Sequence, residues 1–235
     1  MLATTLDQHP QIRMFGELFH PVTVERSGPH AIVDRLGRKR FFNPAKEDAI
    51  HFLQNEVWTA SALKKNAVGF KLFGDYLKSP ATDRLFMRIV EMFPEVRLVT
   101  IWRENLLDCL ISRQVARASG KWMESAKSLP GDTPAAVVSI SPTEAEAFFN
   151  GYSEVKWFLD SLSNQVPSFA VDYDALSENF ESVSEGLFEF LGLKCVPVHQ
   201  ALRKQASFSQ SQYVENWSEL RSHFIHSKYH HFFVS

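Results

Sequence analysis

Five short stretches carry side chains able to do chemistry. Arg103 follows VTIW directly, where an extended run gives way to a helical one. A helix start offers unbonded N–H groups and the positive end of its dipole. A guanidinium there adds a planar fork of donors suited to phosphate. Ser112, on the same helix, offers a hydroxyl donor. The competing reading is structural: Arg103 pairs with a carboxylate such as Asp108, and Ser112 packs. Glu17 lies in FGELFH between Phe15 and Phe19. In a dry setting its carboxylate rises toward the range of a useful base; in a wet one it is a surface residue. His20 is the rival base. Lys71 stands inside GFKLF, and a lysine in a buried-looking strand needs a partner. Either its amine reaches an anion at the sheet edge, or the strand is an edge strand and the amine is solvated. Arg203 and Lys204 in LRKQ precede polar ASFSQSQ, a loop that folds over a ligand phosphate or simply carries solvated charge.

Other chemistries lack their signatures. There is no GxxxxGK[ST] phosphate loop, no GxGxxG after a strand and no HExxH. The histidines and two cysteines show no metal-ligand spacing, so no metal site is expected.

The elements that must position these groups follow from periodicity. MLATTLDQ reads as a helix over residues 1–8, stopped by His9-Pro10. Residues 21–44 are rich in turn formers and basic residues and read as irregular. Residues 45–66 read as a helix. AVGFKLF suits a buried strand, and SPATDRLFMRIVEMFP is a helix with Pro80 near its start and Pro94 past its end. VRLVTIW is the clearest strand, and its lack of alternation predicts burial on both faces. The helix from Glu104 to Ser119 carries the stripe Leu106, Leu107, Leu110, Ile111, Val115 and Ala118. Residues 123–142 read as a loop or lid. A helix runs from SPTEAEAFF to Leu162, SFAVDY is a strand, ENFESVSEGLFEFLGL is a helix stopped by Gly192, and a last helix lies near 213–225. Alternating strands and helices predict an α/β fold, a parallel sheet covered on both faces. Ligands then bind beyond the carboxyl ends of the strands, where Lys71, Arg103 and Tyr173 fall.

Composition bounds the class. The 235 residues, 45% apolar and 22% charged, suit one globular α/β domain over 1–235. A net charge of −2 argues against non-specific nucleic-acid binding. No apolar run is long enough to span a bilayer, and the first residues lack the basic-then-apolar pattern of a secretory leader. Cys109 and Cys195 lie in apolar contexts, as buried reduced thiols of a cytoplasmic protein do. The 20 phenylalanines either fill the core or line an acceptor pocket.

Taken in order, LDQHPQIRMFGELF, GFKLF, VRLVTIWRENLLDCLISRQVARASGKW, FAVDYDALSENFESVSEGLFEFLGL and LRKQ…YVENWSELR resemble the sulfotransferases that use 3′-phosphoadenosine 5′-phosphosulfate. The branch they are most similar to is the bacterial one acting on carbohydrates, glycolipids and lipo-oligosaccharides. The resemblance implies a P-loop-hydrolase-like sulfotransferase fold. It implies that Arg103 and Ser112 hold the donor's 3′-phosphate, although the spacing is one residue longer than in the eukaryotic cytosolic branch. It implies that Tyr173 lies by the adenine and that Arg203 or Lys204 closes over the 3′-phosphate. The histidine base of the cytosolic branch has no counterpart after Lys71, so Glu17 is implied as the base, with Lys71, the strand lysine, as the other catalytic residue. The implied reaction is in-line displacement at sulfur, with electrostatic positioning and no metal.

In that family a buried strand and a Gly/Ser/Thr loop precede the first helix, and the chain opens at Met1 without them. The expected fold is therefore N-terminally truncated, with its first strand missing. Met1 is then an internal methionine of a longer chain, or the protein is a decayed member. In the chain as it stands little or no transferase activity is expected. The alternative function is a non-catalytic remnant that keeps a nucleotide- or partner-binding surface.

Overall fold

The computed structural model describes residues 2–19, 48–59, 64–73, 84–122, 134–200 and 209–233, with the backbone alone at 124–125 and 202–203. In chain order its elements are α1 (Leu2–Leu6), β1 (Ile12–Glu17), α2 (Ala49–Phe52), β2 (Ala67–Lys71), α3 (Leu85–Met92), β3 (Leu98–Trp102) and α4 (Leu106–Ser119). There follow β4 (Glu124–Ser125), α5 (Pro142–Ser163), β5 (Ser168–Asp172), α6 (Tyr173–Glu178), α7 (Phe180–Phe190), β6 (Leu202–Arg203), α8 (Gln210–Tyr213) and α9 (Trp217–Phe224). Two compact units share them. One comprises Met1–Thr100, Ser161–Phe169 and Asn179–Gln200; the other Ile101–Asp160, Ala170–Glu178 and Ala201–Ser235.

In the first unit β1 and β2 pair in parallel, with Ile12 opposite Ala67 and Phe15 opposite Phe70. Successive strand residues face opposite sides, and here both sides are covered. Ile12 and Met14 pack in a cluster with Leu6 of α1 and Leu187 and Phe188 of α7. Phe15 packs with Phe52 of α2, Leu53, Val57, and Leu85 and Ile89 of α3. Asp7 Oδ1 accepts the Met14 N–H at 3.0 Å, fixing the turn from α1 into β1. Asp48 caps α2 by accepting the Ile50 and His51 N–H groups, and α2 runs on as a π-helical stretch, Leu53–Val57. Helix α7 ends at Gly192, whose φ of 71° costs a residue without Cβ little.

In the second unit Asn105 caps α4 by accepting the Asp108 N–H, and Gly120 closes it at φ 70°. The buried face of α4 packs with Ile140, Ala145 and Phe149 and with Tyr213, Leu220, Phe224, Phe232 and Phe233. The Asn216 side chain ties this together, accepting the Ile140 N–H and donating to its carbonyl.

Several expectations are corrected. Residues 12–17, read as following a helix, form β1, so Glu17 ends a strand. It is β1 that is buried on both faces; β3 is half-buried and Ile101 is 40% exposed, because β3 has a single strand neighbour, β5, among the described residues. The described sheets are two-stranded, and β4 pairs with β6 antiparallel. The helix expected over 45–66 stops at Val57. Arg84, with φ 56°, precedes α3, while Pro80 lies outside the described residues. In α4 Ala116 rather than Ala118 joins the buried stripe. Tyr173 opens α6 instead of ending a strand. Cys195 is exposed and Cys109 half-buried, and neither is in a disulfide. Phe15, Phe52, Phe149, Phe188 and Phe224 are core residues. The segment 21–44, His20, and residues 123 and 126–133 of the expected lid lie outside the described residues.

Candidate functional site

Arg103 leaves the end of β3 and is only 8% exposed. A guanidinium so placed requires partners. Its Nη2 donates to Asp108 Oδ2 at 2.6 Å and its Nε to Asp174 Oδ2 at 3.3 Å. The guanidinium also lies over the Tyr173 ring, 5.4 Å from its centroid, in reach of a cation–π attraction. Of the two readings of Arg103, the pairing with Asp108 is the one seen, at the junction between β3 and α4. Asp108 lies in the first turn of α4, where the dipole favours negative charge. Two carboxylates against one guanidinium leave the cluster net negative, but Nη1 donates to neither of them.

Burial pushes the Tyr173 phenol above its ordinary pKa; Arg103 opposes this, while Asp174 and Cys109 reinforce it. Asp174 was missed in the sequence, although it adjoins Tyr173. Gln210 was missed as well. It is buried, and its Nε2 donates to Asp108 Oδ1 at 2.7 Å.

A second grouping ends the parallel pair of the first unit. The register slips between Phe15 and Glu17, bringing Glu17 opposite Lys71. Lys71 Nζ donates to Glu17 Oε1 at 2.8 Å and sits 4.1 Å from the Phe73 ring centroid. The Lys71 side chain is 42% exposed and that of Glu17 25%. Of the two readings of Lys71, the partner is a carboxylate and the amine is also wetted.

Ser112 lies half-buried on α4, six residues beyond Leu106 and so about 9 Å along the axis from its first turn. For Arg203 only the backbone is described, in β6 opposite Glu124. Lys204 lies outside the described residues. Among the described residues no group of three or more His, Cys, Asp or Glu is placed to hold a metal ion. None of their helices is long and apolar enough to cross a membrane.

In comparison with known proteins, the model of the sulfotransferase family aligns with residues 1–197. Neither a curated protein nor a solved structure matches the chain.

Proposed function

The chain belongs to the sulfotransferase family, and from that premise we propose that it moves a sulfuryl group from 3′-phosphoadenosine 5′-phosphosulfate to a hydroxyl of a small acceptor, a carbohydrate or lipid-linked alcohol. The observation that carries the reading is the state of Arg103. It is nearly buried at a strand end, held by Asp108 and Asp174 through Nη2 and Nε, with Nη1 bonded to neither. A guanidinium fixed on one edge and uncommitted at the other nitrogen suits a phosphate oxygen.

In this reading Arg103 and Ser112 receive the donor's 3′-phosphate, and the Tyr173 ring, already under a cation, takes the adenine edge. Arg203 and Lys204 add positive charge from late in the chain. When bound, the donor supplies the electrophilic sulfur. Glu17 accepts the acceptor's hydroxyl proton at a carboxylate oxygen. Lys71, at 2.8 Å from that carboxylate, places positive charge where an oxygen gains negative charge. A cytoplasmic setting accompanies this reading, since both cysteines are unbridged.

The test is calorimetric titration with adenosine 3′,5′-bisphosphate. The wild-type chain binds it, and Arg103→Ala weakens binding by about 1.5–3 kcal/mol, the worth of a charged hydrogen bond. Equal affinity of the two proteins removes Arg103 from the site. Absence of binding to wild type removes the nucleotide from the reading and leaves the partner-binding alternative.

A further inference from the structure

The hydrogen bonds around Asp108 close into a ring. Asn105 Oδ1 accepts the Asp108 N–H at 3.1 Å, and Asn105 Nδ2 donates to the Phe232 carbonyl at 2.9 Å. Gln210 Nε2 donates to the same carbonyl at 2.9 Å and to Asp108 Oδ1 at 2.7 Å. The orientation of the Gln210 amide is dictated, because both partners of Nε2 are acceptors. Its Oε1 is thereby left buried without a hydrogen-bond partner. A buried orphan acceptor is costly, and an apolar side chain of the same length would avoid it. The return lies in what Gln210 does to Asp108.

Asp108 meets Arg103 through one oxygen, Oδ2 on Nη2. Arginine and carboxylate otherwise favour the two-pronged arrangement. Asp174 already occupies Nε, so the fork open to Asp108 is Nη1 with Nη2. Oδ1 does not turn to complete that fork, because Gln210 holds it. We propose that Gln210 is a positioning residue. By holding Asp108 Oδ1, it keeps that carboxylate single-pronged on Arg103 and reserves Nη1 for an anionic ligand. The role rests on the reading of Arg103 as a phosphate ligand. It extends that reading to a residue beyond 1–197, the segment aligned with the family.

Gln210→Met keeps the length and removes the donor. Two readouts follow. In ligand-free protein, the Arg103 Nη1 proton resonances, assigned by their loss in Arg103→Lys, move downfield as Asp108 closes on them. In calorimetry, affinity for adenosine 3′,5′-bisphosphate falls about tenfold, and the same substitution in an Asp108→Ala background changes it less than about twofold. Packing damage alone would act equally in both backgrounds. Should Gln210→Met fail to fold, Gln210→Leu, which is also uncharged and lacks the donor, carries the same two readouts in the same direction. Unmoved Arg103 resonances overturn the proposal, as does an equal loss of affinity with and without Asp108. Moved resonances in a wild-type protein that binds no nucleotide uphold the positioning role and discard the nucleotide.

Discussion

Glu17 stands opposite Lys71 because β1 spends one more residue than β2 after Phe15. In an unbroken register Gly16 would face Lys71 and Glu17 would face Leu72, and a one-residue slip exchanges the faces of a strand. The result is a 2.8 Å ion pair at the carboxyl ends of two parallel strands. With one partner 42% exposed, such a pair stabilises by about 1 kcal/mol at most. A double-mutant cycle with Glu17→Gln and Lys71→Met is therefore expected to give a coupling in that range by urea unfolding. In a form of the protein that carries the family's phosphosulfate loop, Glu17→Gln is expected to slow sulfuryl transfer to an alcohol acceptor by about 10²–10⁴, with affinity for adenosine 3′,5′-bisphosphate unchanged. A coupling near 3 kcal/mol with unaltered transfer would make the pair purely structural.

Asp48 does two things for the first unit: it caps α2 and binds Arg88 through both oxygens, at 2.6 and 2.9 Å. The hydrogen bond from Arg88, foremost, lowers its pKa from 3.8 to about 2; desolvation opposes it, and the His51 N–H, the Arg88 charge and the Ile50 N–H assist. A carboxylate lowered by folding stabilises above its unfolded value, and that contribution is lost as pH falls through the folded one. Stability is therefore predicted to drop between about pH 4 and pH 2. Both side chains are nearly half exposed, so screening leaves about 1 kcal/mol at neutral pH. Asp48→Asn, still a competent cap, is expected to flatten this acid limb in thermal melts. Asp48→Ala is expected to cost about 1 kcal/mol more through the lost cap.

Arg103 is held by carboxylates at sequence separations of 5 and 71 residues. Arg103→Ala leaves Asp108 and Asp174 facing each other without a cation. Breaking a fully buried pair costs about 3–5 kcal/mol. These carboxylates retain 25% and 31% of their exposure, so a loss of roughly 2–3 kcal/mol is expected in urea unfolding. Asp174→Asn, which keeps an acceptor at the longer contact, is expected to cost less. A loss for Arg103→Ala below about 1 kcal/mol would mean that water already screens the cluster.

What the sequence disclosed depended on whether the signal was local. Helix α4 was legible because its apolar stripe lies within one short segment. The stop after α1 was legible from His9-Pro10. Strand β1 was not, because Arg13 and Gly16 interrupt its apolar run and burial on both faces removes alternation. The ring on Asp108 was hidden for another reason. Gln210 is 102 residues away, and a glutamine in a polar stretch carries no mark of burial until the chain folds. The Arg103–Asp108 pairing, five residues apart, was visible as one of two readings; Asp174 became visible only with α6 in place.

Tyr173 supplies a titration that reports on the same cluster from its other side. Its phenol is raised above the ordinary value chiefly by burial, with Asp174 and Cys109 adding to the shift and Arg103 opposing it. An acid raised by folding is favoured in its neutral form. Its contribution is present below the unfolded value, about 10 for tyrosine, and is lost as pH rises through the folded one. The alkaline limb of stability is therefore expected to be shallower in Tyr173→Phe, which keeps the ring beneath the guanidinium and removes the ionising group. Phenolate absorbance is expected to show one tyrosine ionising late in the native protein and absent from this variant. Arg103→Ala, by removing the one opposing cation, is expected to delay that ionisation further. If instead the phenol ionises earlier in Arg103→Ala, water has entered where the guanidinium stood, and burial is not what holds the proton.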